Sequence, residues 1–455
     1  MEVTGPITGG TRGYAFGRPL GDLAEHGYRE DEYVMAGDAT RYRPKPGTSL
    51  GEDGVWQAEP AGTAPYRTRL IVYRPIDPAA FNGTVIVSWN NVTAGYDLFG
   101  GDSAEILEGG FAFVGVTVQR AGIEGLAPGN QGLATWDPER YGSLSHPGDD
   151  YSFDIFTQAA AAARQLDGLD VRKVVAMGGS QSAGRLGAYV NAIQPMTNAF
   201  DGFLLTIYFG SGTQLEVGDA VVNINQPGAA AAMPANALRG RNRLRDDNGV
   251  PVFVVNSELE AIACLDVRQP DTDTFRYWEA AGTCHVSVQS MALRTPKYLR
   301  EFGTELPVEA HVNRISLVPL YDSALHHLHA WINGEGAPPV QPLITFADGD
   351  VVRDEHGIAV GGIRLPAAAV PVATNSAIPA VPGIYGLLQG STKPFTREQL
   401  VALYGDEATY ASRVEEAARA AEKAGVVLPR DVEPLVAEAV AEFRANASTG
   451  AESAT

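Results

Sequence analysis

The stretch VRKVVAMGGSQSAGRLGAYVNAIQP, residues 171–195, constrains this chain more than any other. VRKVVAMGG reads as a short buried strand that stops in two glycines, and SAGRLGAYVNAIQP reads as a helix ended by Pro195. A strand turning sharply into a helix through Gly-Gly-Ser is a building unit of parallel α/β sheets. The same alternation recurs on both sides of it. YRTRLIVYRP, TVIVSW, FAFVGVTV, DGFLLTIYFG, VPVFVVNSE and TFRYWEAAG read as strands, while DSAEILEGG and SFDIFTQAAAAARQLDG read as helices. Continuous apolar strands alternating with helices predict a mostly parallel sheet covered on both faces.

Residues 1–65 are rich in Gly, Pro and charge and read as irregular structure with short strands. Residues 66–335 read as the α/β core. Within them, 210–249 is a stretch of about forty residues with weak periodicity, of the kind that forms lids and insertions. Residues 336–455 read as an extension that packs on the core and could join the cap, its helices opening on the Thr396-Arg-Glu-Gln399 capping-box pattern. A formal net charge of −20 over 455 residues argues against nucleic acid or anionic membrane as partners, because clustered Lys and Arg carry those associations. No run of about 18 apolar residues predicts a membrane span. The opening MEVTGPITGGTRGYAFG has neither the charged nor the apolar region of a signal peptide. A cytoplasmic protein is therefore expected from the numbering, with a secreted mature form left open. Two cysteines allow at most one disulfide bridge.

Two serines compete in Gly178-Gly-Ser-Gln-Ser-Ala-Gly184. A serine lifted on a strand–turn–helix elbow becomes a nucleophile if the helix N-terminus can stabilise the developing oxyanion and small residues flank it at two before and two after. With Ser180 at the apex those neighbours are Gly178 and Ser182; with Ser182 they are Ser180 and Gly184. The second choice would carry the strand through Gly178 and Gly179, poor strand residues. Ser180 is favoured, and Ser182 stays a secondary candidate. Gly47-Thr-Ser-Leu-Gly51 matches Gly-x-Ser-x-Gly to the letter but has no strand before it and no helix after it, so it reads as a surface loop.

A serine hydroxyl needs a base, normally His, and the base needs a carboxylate to orient it. Where such an elbow carries the nucleophile, the acid follows a late strand of the sheet and the His follows the last one. VPVFVVNSELEA ends in Glu258 and Glu260, and TFRYWEAAGTCHVS ends in a turn carrying His285. The turn layout favours Glu260 over Glu258. Of the other histidines, His146 is a secondary candidate to line the site, whereas His326, His327 and His329 are expected to pack or face solvent and not to bind metal. Oxyanion N–H groups are expected from Gln181 and from the turn holding Asn90 and Asn91. Cys264 and Cys284 flank Glu260 and His285, which suggests a disulfide fixing the two loops.

GYREDEY, WDPERYGSLSHPGDDYSFDIFTQ, GGSQSAGRL and NSELE followed by RQPDTDTFRYWEAAGTCH, continuing through GGIRLP and TKPF, resemble the α/β-hydrolase superfamily. They are most similar to a bacterial branch of alpha/beta hydrolase domain proteins. The resemblance implies the α/β-hydrolase fold and a cofactor-independent serine hydrolase using Ser180, Glu260 and His285, with no metal. It makes cleavage of a small-molecule carboxylic ester the first expectation. An amide, thioester or lactone would use the same residues, and a catalytically silent binding protein is the alternative of a different class. Oligomeric state is left open.

Overall fold

The computed structural model describes residues 1–98, 100–127, 129–216, 218 and 238–448. Nine strands form one sheet: β1 (Glu2–Thr4), β2 (Tyr28–Pro44), β3 (Ala58–Pro75), β4 (Thr84–Trp89), β5 (Ala112–Val116), β6 (Lys173–Gly179), β7 (Gly202–Thr206), β8 (Val252–Ser257) and β9 (Phe275–Ala280). Their order across the sheet is β1-β2-β3-β5-β4-β6-β7-β8-β9. The five pairings from β5 to β9 are parallel, and those from β1 through β3 to β5 are antiparallel. The fold is the α/β-hydrolase fold.

The apolar strands explain themselves once both faces are followed. Val85, Val87, Val174, Ala176, Phe203, Leu205, Val252 and Val254 enter the core on one face. Their neighbours Ile86, Val175, Leu204, Phe253 and Val255 enter the core on the other. A period of two with both sets apolar is what a strand buried on both faces requires. The helix Ser152–Ala163 contributes Phe153, Phe156 and Ala160 to the first core. The helix Val318–Ile332 contributes Leu320, Ala324, Leu325 and Leu328 to the second.

Two expectations about the ends of the core are corrected. The strands expected within residues 1–65 are long where short ones were expected, and the boundary near residue 65 falls inside β3: β2 and β3 pair from Tyr28–Pro75 out to Pro44–Ala58. The literal match Gly47–Gly51 lies in the connection between them, with Ser49 exposed. Pro195 also does not end its helix. The chain passes from Gln181–Ala188 through a π-helical turn, Tyr189–Ile193, into Gln194–Thr197, and stops at Asn198 with φ 48°. Proline is tolerated there because it sits in the first turn of the last segment, where an N–H is dispensable.

The signature strings meet inside this frame. Glu32 of REDEY is buried and bonded to Arg69 (2.8 Å) and to Arg140 Nε (2.8 Å) and Tyr141 Oη (2.7 Å) of WDPERY. Beside it, burial, partly offset by Arg18, pushes the Glu30 carboxyl up to about 7. A folded-state value above the unfolded one means the native protein holds an extra proton between about 4.5 and 7. This group's contribution therefore weakens as pH rises through that window. Glu30→Gln should gain stability over the parent by about 1–3 kcal/mol on going from pH 5 to pH 8. Thermal midpoints of both proteins at the two pH values check this, and a difference independent of pH would refute it.

The extension after residue 336 docks on the second core face through Ile358, Ile363, Leu365, Ala418, Val426 and Val432. Thr396 caps the helix Arg397–Tyr404, with both capping-box bonds formed to and from Gln399. Among the described residues no helix is long and apolar enough to cross a membrane.

Candidate active site

Ser180 occupies the junction of β6 and the helix Gln181–Ala188, with φ 61° and ψ −122°. A non-glycine residue there costs on the order of 1–3 kcal/mol, and such outliers collect at functional sites. Serine at this N-terminal position normally caps the helix, but the Ser180 side chain makes no capping bond. The backbone is pinned instead: Ser180 N–H donates to Thr206 O at 3.0 Å, and Gly184 N–H donates to Ser180 O at 3.1 Å. Strand and helix are nearly in contact behind the turn. A Cβ on Gly178 would lie 3.1 Å from Ser182 Cβ and 3.0 Å from Leu186 Cδ1, so a larger side chain at 178 or 182 would force the elbow apart. Ser182 is fully buried at this contact, with no hydrogen-bond partner for its hydroxyl among the described residues.

Ser180 and His285 line one cleft of about 920 Å³. His285 Nδ1 lies 2.7 Å from Glu260 Oε1, on a ring 7% exposed and a carboxylate fully buried. That contact assigns the ring proton to Nδ1 and leaves Nε2 as the basic nitrogen. Glu260 is held by local sequence. Ser257-Glu-Leu-Glu260 is a capping box opening the helix Glu258–Ala263, in which Glu260 Oε2 accepts the Ser257 N–H at 3.2 Å and also bonds the Ser257 hydroxyl. One carboxylate thus serves the helix end with one oxygen and the imidazole with the other. Phe209 stacks on the imidazole, 5.3 Å between centroids and 20° between planes. Ile207, also lining the cleft, holds φ 46°, a second strained residue beside the elbow.

Glu258 is brought elsewhere. Its buried carboxylate bonds Arg353 Nη2 (2.6 Å) and accepts the N–H groups of Gly282 (2.9 Å) and Ala377 (3.2 Å). It ties the extension to the loop that carries His285. His146 is buried away from the cleft lining, its Nε2 bonding Val118 O at 2.8 Å and its Nδ1 accepting Gly148 N–H at 3.2 Å. His326, His327 and His329 bond Glu105, Gly425 O and Thr84 respectively. No group of three or more His, Cys, Asp or Glu is placed to hold a metal ion among the described residues.

The turn after β4 divides its two asparagines. Asn90 N–H is already donated to Val116 O (3.3 Å), and its side chain bonds Asp97 (3.1 Å). This narrows the expected oxyanion pair. Asn91 anchors the turn to the elbow through Nδ2 to Gly179 O (3.1 Å), and Thr93 N–H donates to Asn91 Oδ1 (2.9 Å). Asn91 N–H has no acceptor among the described residues. Gln181 is the first residue of its helix, so its N–H has no intrahelical acceptor either. Asn91 and Gln181 both line the cleft.

The expected disulfide is a correction: both cysteines are free and buried. Cys264 Sγ donates to Tyr208 O (3.2 Å) in the core, while Cys284 Sγ donates to Leu387 O (3.4 Å) in a separate apolar cluster. Burial raises both thiols well above their ordinary value, which keeps them protonated and unreactive. The loop of His285 is secured by other means: Val286 N–H donates to Leu388 O and Asn313 Nδ2 to Gly282 O, both at 2.8 Å.

Half of the expected insertion 210–249 lies outside the described residues; of the other half, Thr213, Gln214, Glu216 and Leu238 line the cleft. So do Ile384 and Leu388 of the extension. Sequence reasoning missed Phe209, Ile207 and Arg294 as cleft residues. The capping-box pattern at Ser257–Glu260 was the one available signal for what holds Glu260.

The sheet, the strained serine and the paired carboxylate and imidazole define a hydrolase of the α/β class. A family model described as alpha/beta hydrolase domain matches residues 3–437, and the chain belongs to that family. No curated protein matches it. Among solved structures it is similar to esterase Est22, at 12% identity over 52% of this chain and 66% of that one, with a TM-score of 0.27. It is also similar to brefeldin A esterase, a bacterial homologue of human hormone sensitive lipase (13%, 50% and 60%, TM-score 0.23). A third is oligopeptidase B from Leishmania major (13%, 56% and 33%, TM-score 0.29). No substrate follows from these likenesses.

Proposed function

We propose that the chain is a carboxylic ester hydrolase acting through Ser180, His285 and Glu260. His285 Nε2 takes the proton of Ser180 Oγ as that oxygen attacks the ester carbonyl. The imidazolium formed is stabilised by Glu260 through Nδ1. The N–H groups of Gln181 and Asn91 receive the oxyanion at a helix N-terminus, where the backbone dipoles favour negative charge. The imidazolium then protonates the leaving alcohol. Water, deprotonated by the same nitrogen, attacks the acyl-Ser180 ester, and the imidazolium returns that proton to Ser180 Oγ as it leaves and the acid is released. The observation that carries this reading is the 2.7 Å pairing of Glu260 with His285 in the cleft that Ser180 lines with a positive φ. On the cleft walls, Ile207, Phe209, Val286, Met291 and Leu388 would hold an apolar acyl group. Native protein should hydrolyse p-nitrophenyl butyrate with saturation kinetics and lose that activity to a fluorophosphonate. Neither turnover nor inactivation would point instead to a silent binding fold.

A further inference from the structure

The helix Val288–Phe302 presents Ser290, Met291 and Arg294 on one face, and all three line the cleft with Ser180 and His285. Arg294 Nη2 donates to Tyr96 Oη at 2.9 Å, and its guanidinium lies 5.9 Å from the centre of the Tyr96 ring. Its Nε is buried with no acceptor among the described residues. No carboxylate among the described residues pairs with Arg294. The other charges in the lining are compensated: Arg185 by Asp149 at 3.1 Å, and Glu216 by Arg41 at 3.8 Å.

A partly desolvated guanidinium without a counter-ion is costly, and this chain has 54 acidic side chains from which one could have been placed beside it. Arg294 is instead oriented by Tyr96, and it lines the cleft. A planar fork held in this way matches a carboxylate in bidentate fashion. The same cleft also carries apolar side chains, Met291, Phe209 and Ile207 among them.

We infer that the substrate is an ester that also carries a carboxylate, with an apolar spacer between the two groups, and that Arg294 is the specificity residue that binds the carboxylate. The inference rests on the esterase reading above and names its substrate class. Two matched pairs of esters test it. Mono-p-nitrophenyl adipate against p-nitrophenyl hexanoate places the charge on the acyl side; 4-acetoxybenzoate against its methyl ester places it on the alcohol side. For at least one pair, Arg294→Met should lower the anionic-to-neutral ratio of kcat/KM by roughly 10- to 100-fold, mostly through KM. Arg294→Lys should recover part of the loss, and Tyr96→Phe should lower the same ratio less. Ratios that stay within about threefold of the native protein for both pairs would overturn the inference. If native protein cleaves none of the four esters, the esterase reading fails on its own. The carboxylate site is then read by calorimetry with adipate: binding to Ser180→Ala protein that Arg294→Met abolishes supports it, and no binding overturns it.

Discussion

Ser180→Ala is expected to reduce kcat/KM for p-nitrophenyl butyrate by roughly 10³-fold or more, the size typical of removing a nucleophile from a set that acts as a unit. Ser182→Ala is expected to change it by less than about threefold. The two differ by two positions in one small-residue run, and packing separates them. Ser180 sits at the strained apex and lines the cleft, while Ser182 is fully buried against Gly178, its hydroxyl without a partner among the described residues. Replacing that hydroxyl by hydrogen leaves no donor or acceptor stranded, so Ser182→Ala should fold at least as well as the parent. Steady-state kinetics on both variants, with matched circular dichroism spectra, check this. A dead Ser182→Ala beside an active Ser180→Ala would reverse the assignment.

The second large effect separates two buried glutamates that are neighbours but one. Glu260→Gln keeps a side chain able to complete the capping box but offers His285 Nδ1 an amide in place of a carboxylate. The tautomer and the imidazolium both lose their support, and kcat is expected to fall by roughly 10²–10⁴-fold with little change in thermal midpoint. Glu258→Gln should do the opposite. Its carboxylate compensates Arg353, whose side chain is 21% exposed, and accepts N–H groups from Gly282 and Ala377. Breaking one partner of such a pair strands the other, at an expected cost of about 2–4 kcal/mol given the partial exposure of the arginine. Below its unfolding transition the Glu258→Gln protein should turn over esters within a few-fold of the parent. Activity and thermal midpoint measured on the two variants give this crossed pattern. Parallel losses would mean that both carboxylates serve the same role.

The core was legible because its strands bury both faces, and a continuous apolar run such as TVIVSW or VFVV needs no partner to be recognised. The elbow was legible because glycines end the strand at the residue before the serine. The N-terminal hairpin was not, since β2 reads YREDEYVMAGDATRYRP and its charges hide the pairing. Glu32 in that run is buried only because Arg69 and Arg140, 37 and 108 residues further along the chain, close around it. The same holds for Glu258, whose partner Arg353 is 95 positions away. Proximity along the chain also misled at the cysteines. Cys264 and Cys284 flank the loops of Glu260 and His285 but turn their thiols into different clusters, a matter of side-chain direction that spacing does not carry. Arg294 gave no sequence signal at all, because one cation on a helix is ordinarily a solvated face.

The most direct measurement is peptide mapping of the native protein after reaction with a fluorophosphonate. The expected result is one adduct, carried by Oγ of Ser180 within VVAMGGSQSAGR, formed at a rate that Glu260→Gln slows. An adduct on Ser182, or native protein that remains unlabelled while still hydrolysing esters, would contradict the assignment of Ser180 as the nucleophile.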